Sequence, residues 1–286
     1  MRKLFLFALV ALLGAAQDLT FKDEVKLVQV YATVFDHHGQ PVDGLKREQF
    51  EIRDDGAPQA IRIFEATDKS VSCALLLDTT ASMTESIPTL RNAARNFISA
   101  LRDGDAVGVY TFNERLDELA EIGTDKAVGR RVLTRLHATG RTALFDSISQ
   151  LALLLEKRPG KKAIVVLTDG GDNASVLNRQ SAAKRARKAG IPVFAIAEGD
   201  ALHDSAAFGL LRDLTESTGG HLYKAEHPKD IDAVFAEITT NLQSGYLLAF
   251  QAPVEANNPS WHELQILVNN TAKSMKVRAR TGYSTD

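Results

Sequence analysis

The pattern of hydrophobic and polar positions divides the chain into three parts. Residues 17–69 and 244–286 contain short runs of β-branched and aromatic residues between turn-forming residues, and neither part has a helical period. Both parts are therefore predicted to be β structure. The predicted strands are 25–35, 50–53, 59–65, 246–251, 261–269 and 273–280, and 252–260 is a predicted loop.

Residues 70–243 instead alternate between short apolar runs and segments with helical spacing. The runs at 71–77 and 163–168 are apolar throughout, which is typical of strands buried on both faces. This alternation predicts a doubly wound, mostly parallel α/β sheet covered by helices on both faces. The predicted strands are 71–77, 106–112, 163–168, 191–197 and 221–224, and the predicted helices are 87–101, 128–136, 144–155, 180–188, 208–218 and 231–242.

Neither β segment alone has enough strands for a stable sheet pair. We therefore expect residues 17–69 and 244–286 to pair with each other. The predicted fold class is a doubly wound α/β domain inserted into a small, sandwich-like all-β domain formed by the N- and C-terminal segments.

Residues 1–16 are typical of a secretory signal. Arg2 and Lys3 precede an apolar run at 4–13, and the small residues of 14–16 follow it. The run has about ten residues, whereas a membrane-spanning helix needs ~20. We therefore expect cleavage before Gln17, export to the periplasm or the exterior, and no stable membrane span after signal removal.

Charge and cysteine content exclude several classes of function. The formal net charge is −2, which gives no electrostatic basis for binding nucleic acid. The basic helix predicted at 180–188 is accordingly interpreted as a solvated face. Cys73 is the single cysteine, so an internal disulfide and zinc sites built from several thiolates are excluded. No histidine has metal-ligand spacing to another, which also disfavours zinc.

Candidate chemistry lies where two predicted strands end. Asp78 and Asp169 each follow a buried run, and in doubly wound sheets ligands bind at the carboxyl ends of strands. Thr80 and Ser82 follow Asp78, and Thr142 opens a predicted helix, so two carboxylates and three hydroxyls can meet at one rim. Such hard oxygen ligands favour Mg²⁺, Mn²⁺ or Ca²⁺. The alternative is that Asp78 caps a turn and Thr142 caps its helix.

These residues resemble a known adhesion site. Asp78-Thr79-Thr80-Ala81-Ser82, with Thr142 and Asp169-Gly170, is similar to the metal-ion-dependent adhesion site of von Willebrand factor type A (VWA) domains, usually Asp-x-Ser-x-Ser, a distant Thr and a distant Asp. The flanking residues 42–45 and 278–283 resemble a bacterial exported VWA-related group. The resemblance thus covers nearly all of the predicted mature chain.

The resemblance implies a role for each residue. Thr80 and Ser82 would ligate the metal through their hydroxyls, joined by Thr142 when a ligand is engaged. Asp78 and Asp169 would hold the metal largely through bound waters, or would alternate between direct and indirect contact. Thr80 replaces the commoner serine but keeps the hydroxyl, so coordination is expected to persist.

Two further residues are candidates for the rim of the site. Arg141 stands where these domains frequently have a second glycine, and it either favours an acidic ligand beside the metal or points into solvent. Asp172, just past Asp169, either shapes the rim or belongs to a solvated loop, and the loop is the favoured interpretation.

The predicted function is non-enzymatic, metal-dependent binding of a protein that presents an Asp or Glu carboxylate. One alternative is an aspartyl-phosphate phosphohydrolase using Asp78, although Thr80 stands where that class carries its acidic residue. The other is a structural component of an envelope complex with a silent metal site. The chain also lacks the sequence motifs of serine hydrolases, P-loop proteins and zinc proteases.

Overall fold

The computed structural model describes residues 27–66, 69–227, 229–252, 261–269 and 275–285. The predicted signal at 1–16 and, apart from Ala252, the predicted loop at 252–260 lie outside the described residues. The strands are β1 Leu27–Phe35, β2 Phe50–Asp54, β3 Ala57–Gln59, β4 Ile63–Ala66, β5 Val71–Asp78, β6 Ala106–Phe112, β7 Leu116–Gly123, β8 Lys161–Thr168, β9 Val193–Ala197, β10 His221–Lys224, β11 Tyr246–Gln251, β12 Trp261–Val268, β13 Lys276–Ala279 and β14 Gly282–Ser284. The α-helices are α1 Ile87–Ala100, α2 Lys126–Val132, α3 Leu144–Glu156, α4 Arg179–Lys188, α5 Ser205–Thr218 and α6 Asp230–Gln243.

The central part of the chain forms one six-stranded sheet in the order β10-β9-β8-β5-β6-β7. Its strands are parallel except β7, which runs antiparallel to β6. The chain passes from β5 to β6 on one side and later returns to β8 on the other side of β5. The carboxyl ends of β5 and β8 therefore flank the topological switch point, where ligands bind in such sheets.

Strand β5 is buried because helices cover both faces of the sheet. Cys73, Leu75 and Leu77 pack into a core shared with α1 and α6, whereas Ala74 and Leu76 pack into a second core shared with α3 and α4. This double burial explains the uninterrupted apolar run. Cys73 is fully buried, and burial raises the pKa of its thiol, which makes it an inert core residue.

The two terminal β segments form a sandwich together. Strand β1 pairs with β11, and β2 pairs with β12. The result is two antiparallel sheets, β13-β1-β11-β4 and β14-β12-β2-β3. Their shared core includes Val30, Ile52, Phe250 and Leu264. The predicted fold class is therefore confirmed.

Several elements differ from the prediction. Strand β7 was not predicted, because only Ala120 and Ile122 of its residues are buried and the apolar signal is correspondingly weak. The strand predicted at 59–65 is divided between β3 and β4, which belong to different sheets, because the chain crosses from one sheet to the other between them. The helix predicted at 128–136 ends at Val132 and continues as a 3-10 turn at Leu133–Arg135.

No α-helix among the described ranges combines the length and the apolar character needed to cross a membrane.

Candidate metal centre

Asp78 is the last residue of β5, and it is fully buried. Its Oδ1 accepts a hydrogen bond from the backbone N–H of Thr80 at 2.9 Å, which is the turn cap that the simpler interpretation expects. Its Oδ2 accepts a 2.6 Å hydrogen bond from the hydroxyl of Thr168 on the neighbouring strand, which a turn cap does not require. Because both oxygens are engaged, Asp78 is suited to hold a cation through water rather than directly.

Two hydroxyls and a second carboxylate meet beside Asp78. The hydroxyl oxygens of Thr80 and Ser82 lie 3.1 Å apart, and the Ser82 hydroxyl donates to Oδ1 of Asp169 at 3.0 Å. Octahedral ligands at ~2.1 Å from Mg²⁺ lie about 3.0 Å from their neighbours. Ser82 Oγ thus lies at the spacing of an adjacent magnesium ligand from both Thr80 Oγ1 and Asp169 Oδ1, and this donor set fits a hard divalent cation.

Thr142 lies in a loop joined to the segment after Asp78. The carbonyl of Gly140 accepts a 3.1 Å hydrogen bond from the backbone N–H of Ala81, and Gly140 has a φ of +80°, which favours glycine. The backbone N–H of Thr142 donates to the side chain of Asn173 at 2.9 Å. The N-cap of α3 is Ala143, so Thr142 does not cap that helix as the alternative interpretation expects. Its buried hydroxyl remains a candidate ligand.

The two candidate rim residues order the loops around the site. Arg141 is exposed, and its guanidinium donates to the backbone carbonyl of Asn173. The carboxylate of Asp172 accepts hydrogen bonds from the backbone N–H of Phe145 at 2.8 Å and from the Ser175 hydroxyl at 2.6 Å. Asp172 therefore holds the loop after β8 against the first turn of α3, and it shapes the rim through this structural contact.

Glu198 is a third acidic side chain at this edge of the sheet, and it was not among the predicted site residues. Glu198 directly follows β9, just as Asp169 directly follows β8, so the rule that selected Asp78 and Asp169 also selects Glu198. It is buried, and its carboxyl lies close enough to Asp169 and Asp78 for their charges to act on it. Thr168 was also missed, because it is the last residue of a predicted buried strand and belongs to no recognised motif.

The site brings three acidic side chains together in a buried region. Burial is the main cause that raises the pKa of Asp78 to about 6 and that of Glu198 to about 7, and burial also raises the pKa of Asp169. Neighbouring carboxylates raise all three pKa values further. Within the described ranges, no lysine, arginine or histidine forms an ion pair with any of the three. A divalent cation would supply the missing positive charge.

A second acidic cluster lies in the sandwich, where His262 approaches Asp54 and Asp55. One ligand atom from each residue lies within 4.8 Å of the other two. The His262 ring nitrogen Nδ1 is 2.8 Å from Oδ2 of Asp55, and the hydroxyl of Tyr283 donates to Oδ2 of Asp54 at 2.8 Å. This cluster was not predicted, because only histidine pairs were considered as zinc ligands and His262 lies 207 positions from Asp55 in the sequence. These contacts make it a hydrogen-bonded network that joins β12 and β14 to the turn after β2.

The family model of the von Willebrand factor type A domain matches residues 73–237, which is more than half of the chain. The chain belongs to the von Willebrand factor type A domain family. A comparison with curated proteins gives no match.

Several solved structures are similar to this chain in fold. A von Willebrand factor type A protein from Catenulispora acidiphila is 12% identical, with 94% of this chain and 77% of that chain covered and a TM-score of 0.54. The PilB minor pilin from Streptococcus sanguinis is 15% identical, with 61% of each chain covered and a TM-score of 0.51. Proximal thread matrix protein 1 from the mussel byssus is 15% identical, with 66% of this chain and 49% of that chain covered and a TM-score of 0.53. At these identities the likeness shows a shared fold.

Proposed function

We propose that this VWA protein is a non-enzymatic binding protein that engages an acidic residue of a partner protein through a divalent cation. Asp78, Thr80, Ser82, Thr142 and Asp169 would hold the cation, which would be Mg²⁺, Mn²⁺ or Ca²⁺. The observation that carries the proposal is the position of Ser82 Oγ, 3.1 Å from Thr80 Oγ1 and 3.0 Å from Asp169 Oδ1.

The chemistry of the side chains suits binding of an outside carboxylate. Thr80, Ser82 and Thr142 offer neutral hydroxyls, and Asp78 is engaged by Thr80 and Thr168, so little negative charge would contact the cation directly. A bound cation supplies positive charge with a coordination position that an Asp or Glu of a partner can take. Ser82 is exposed, which leaves this side of the site accessible to another protein.

The same geometry disfavours the phosphohydrolase alternative. A nucleophilic aspartate needs an oxygen free to attack, whereas both carboxylate oxygens of Asp78 accept hydrogen bonds and the residue is fully buried. Thr80 lies two positions further on, where the aspartyl-phosphate class uses a carboxyl as general acid, and a threonine hydroxyl does not supply that proton at neutral pH.

We further propose that the protein acts outside the cytoplasm. This part of the proposal rests on residues 1–16, whose charged start, apolar run and small residues have the form of a secretory signal.

Calorimetric titration with Mn²⁺ tests metal binding. Chelator-treated wild-type protein is expected to bind one cation, and Ser82→Ala is expected to weaken binding at least about tenfold because it removes the central hydroxyl. Ser99→Ala is a matched control, since Ser99 is exposed on α1 and its hydroxyl donates to the carbonyl of Arg95 in the same helix. No heat at millimolar Mn²⁺ would refute the metal site and leave only the silent structural role.

Affinity capture tests partner binding. Immobilised wild-type protein is expected to retain a partner in Mg²⁺ and to release it in a chelator, whereas Ser82→Ala is expected to retain none. Retention that is indifferent to both the chelator and the substitution would contradict the proposed mode of binding. Metal-dependent hydrolysis of a generic phosphate monoester that is lost in Asp78→Ala would support the phosphohydrolase instead.

A further inference from the structure

Glu198 places a third carboxyl beside the site, outside the set that the resemblance assigns. It is the first residue after β9, and only 7% of its surface is exposed. Ser86, the residue before α1, hydrogen-bonds the Glu198 side chain, but Oε1 of Glu198 is buried without a hydrogen-bond partner. A buried carboxylate oxygen without a donor is costly, so such an atom calls for an explanation.

The strand order explains why Glu198 lies close to the site. Strands β5, β8 and β9 are neighbours in the sheet and run parallel, so their carboxyl ends place Asp78, Asp169 and Glu198 side by side. The backbone N–H of Glu198 also donates to the carbonyl of Thr168 at 3.1 Å, which fixes the start of the loop after β9 beside Asp169. The charged groups that act on Glu198 are Asp169 and Asp78, both negative.

Glu198 is therefore a buried acid beside two other acids, and one of its carboxylate oxygens has no hydrogen-bond partner. The oxygens of Asp78 are engaged by Thr80 and Thr168, and one oxygen of Asp169 is engaged by Ser82. Oε1 of Glu198 is thus a buried carboxylate oxygen at this edge without a hydrogen-bond partner, and a cation in the site would satisfy it.

We propose that Glu198 is an additional acidic residue of the cation site, acting directly or through one water, and that it raises the cation affinity of the protein before any partner binds. This inference rests on the proposed function. With Glu198 the site carries three carboxyls rather than two, which adds attraction for a divalent cation while its remaining coordination position stays open to a partner carboxylate. The protein would then retain its cation without help from a partner carboxylate.

Glu198→Gln tests the proposal, because it keeps the size and shape of the side chain and removes the charge. By calorimetry, we expect Mn²⁺ to bind Glu198→Gln at least about tenfold more weakly than wild type. In a chelator, we expect Glu198→Gln to unfold at a higher temperature than wild type, because a buried charge next to two aspartates has been removed. A merely structural role for Glu198 would not give these opposite effects on cation affinity and on metal-free stability.

Asp200→Asn is the matched control. Asp200 also acts on Asp169 through its charge, but it is exposed, so its effect is screened by solvent. We expect its Mn²⁺ affinity to stay within about twofold of wild type. Equal losses in Asp200→Asn and Glu198→Gln would show a general effect of charge and would overturn the proposal.

The titrations separate this inference from the proposed function. If wild type binds Mn²⁺ and Ser82→Ala does not, the proposed cation site is supported. An unchanged Mn²⁺ affinity in Glu198→Gln would then overturn only the proposed role of Glu198. If wild type binds no Mn²⁺, both proposals fall. A lower unfolding temperature of Glu198→Gln in a chelator would also contradict the role of Glu198.

Discussion

The hydroxyl of Thr168 donates a 2.6 Å hydrogen bond to Oδ2 of Asp78, across the boundary between β8 and β5. Both residues are fully buried. The bond fixes the orientation of the first carboxyl of the site from the strand that carries the second one, Asp169. The two halves of the site are therefore held together before any cation binds.

Thr168→Val removes this donor while keeping the shape of the side chain. We expect the free energy of unfolding to fall by about 1–3 kcal/mol, because a buried carboxylate oxygen loses its partner. We also expect Mn²⁺ affinity to fall about tenfold, because Asp78 is no longer oriented. Denaturant unfolding and calorimetry measure the two effects. Thr168→Ser retains the donor and should largely restore both, and equal losses in both variants would contradict this account.

The pKa of Asp78 predicts a pH dependence for the metal-free protein. Burial raises this pKa from the ordinary 3.8 to about 6, so the folded state binds the proton more tightly than the unfolded state does. The resulting stabilisation is fully present below pH 3.8 and is lost as the pH rises through 6. Asp78→Asn cannot ionise and lacks this dependence.

Unfolding of wild type and Asp78→Asn, measured in a chelator at several pH values, isolates this contribution. We expect the difference in unfolding free energy to move in favour of Asp78→Asn by about 1–3 kcal/mol between pH ~4 and ~7.5. A difference that does not change with pH would show that the carboxyl of Asp78 titrates normally in the folded protein.

The network of Asp54, His262 and Tyr283 predicts a stability effect far from the cation site. Tyr283→Phe removes the hydroxyl that donates to the buried Asp54 at 2.8 Å. We expect a loss of about 1–3 kcal/mol in unfolding free energy and no change in Mn²⁺ affinity at the rim. A large loss of Mn²⁺ affinity in this variant would instead show that Asp54, Asp55 and His262 hold a cation.

Export of the protein is tested by finding the first residue of the chain after expression. Protein expressed with its full sequence in a bacterial host is expected to be recovered from the periplasm or the medium, beginning at Gln17. Amino-terminal sequencing or intact mass gives the cleavage position. Uncleaved protein confined to the cytoplasm would contradict the interpretation of residues 1–16.

Sequence patterns predicted the parts of the fold that depend on deep burial. The apolar runs of β5 and β8 identified two central strands, and the acids directly after them identified Asp78 and Asp169. Strand β7 could not be predicted in this way, because it lies at the edge of the sheet and buries little. The contact between His262 and Asp55 depends on strand pairing across the inserted domain, which no local pattern contains.

Two features of the site were not predicted, for different reasons. Glu198 follows a predicted strand, so it could have been found by the rule that found Asp169. The contact of Asp172 with the first turn of α3 and the loop contact of Arg141 depend on how two loops pack together, and hydrogen bonds to Phe145 and Asn173 reveal them.

The most direct test of the account is the position of a bound cation. Anomalous scattering from a crystal grown with Mn²⁺ is expected to place one ion about 2–2.5 Å from the hydroxyl oxygens of Thr80 and Ser82 and beside Asp169. An ion bound only at Asp54, Asp55 and His262, or no ion near Ser82 at millimolar Mn²⁺, would contradict the central claim that this rim is a cation-dependent binding site.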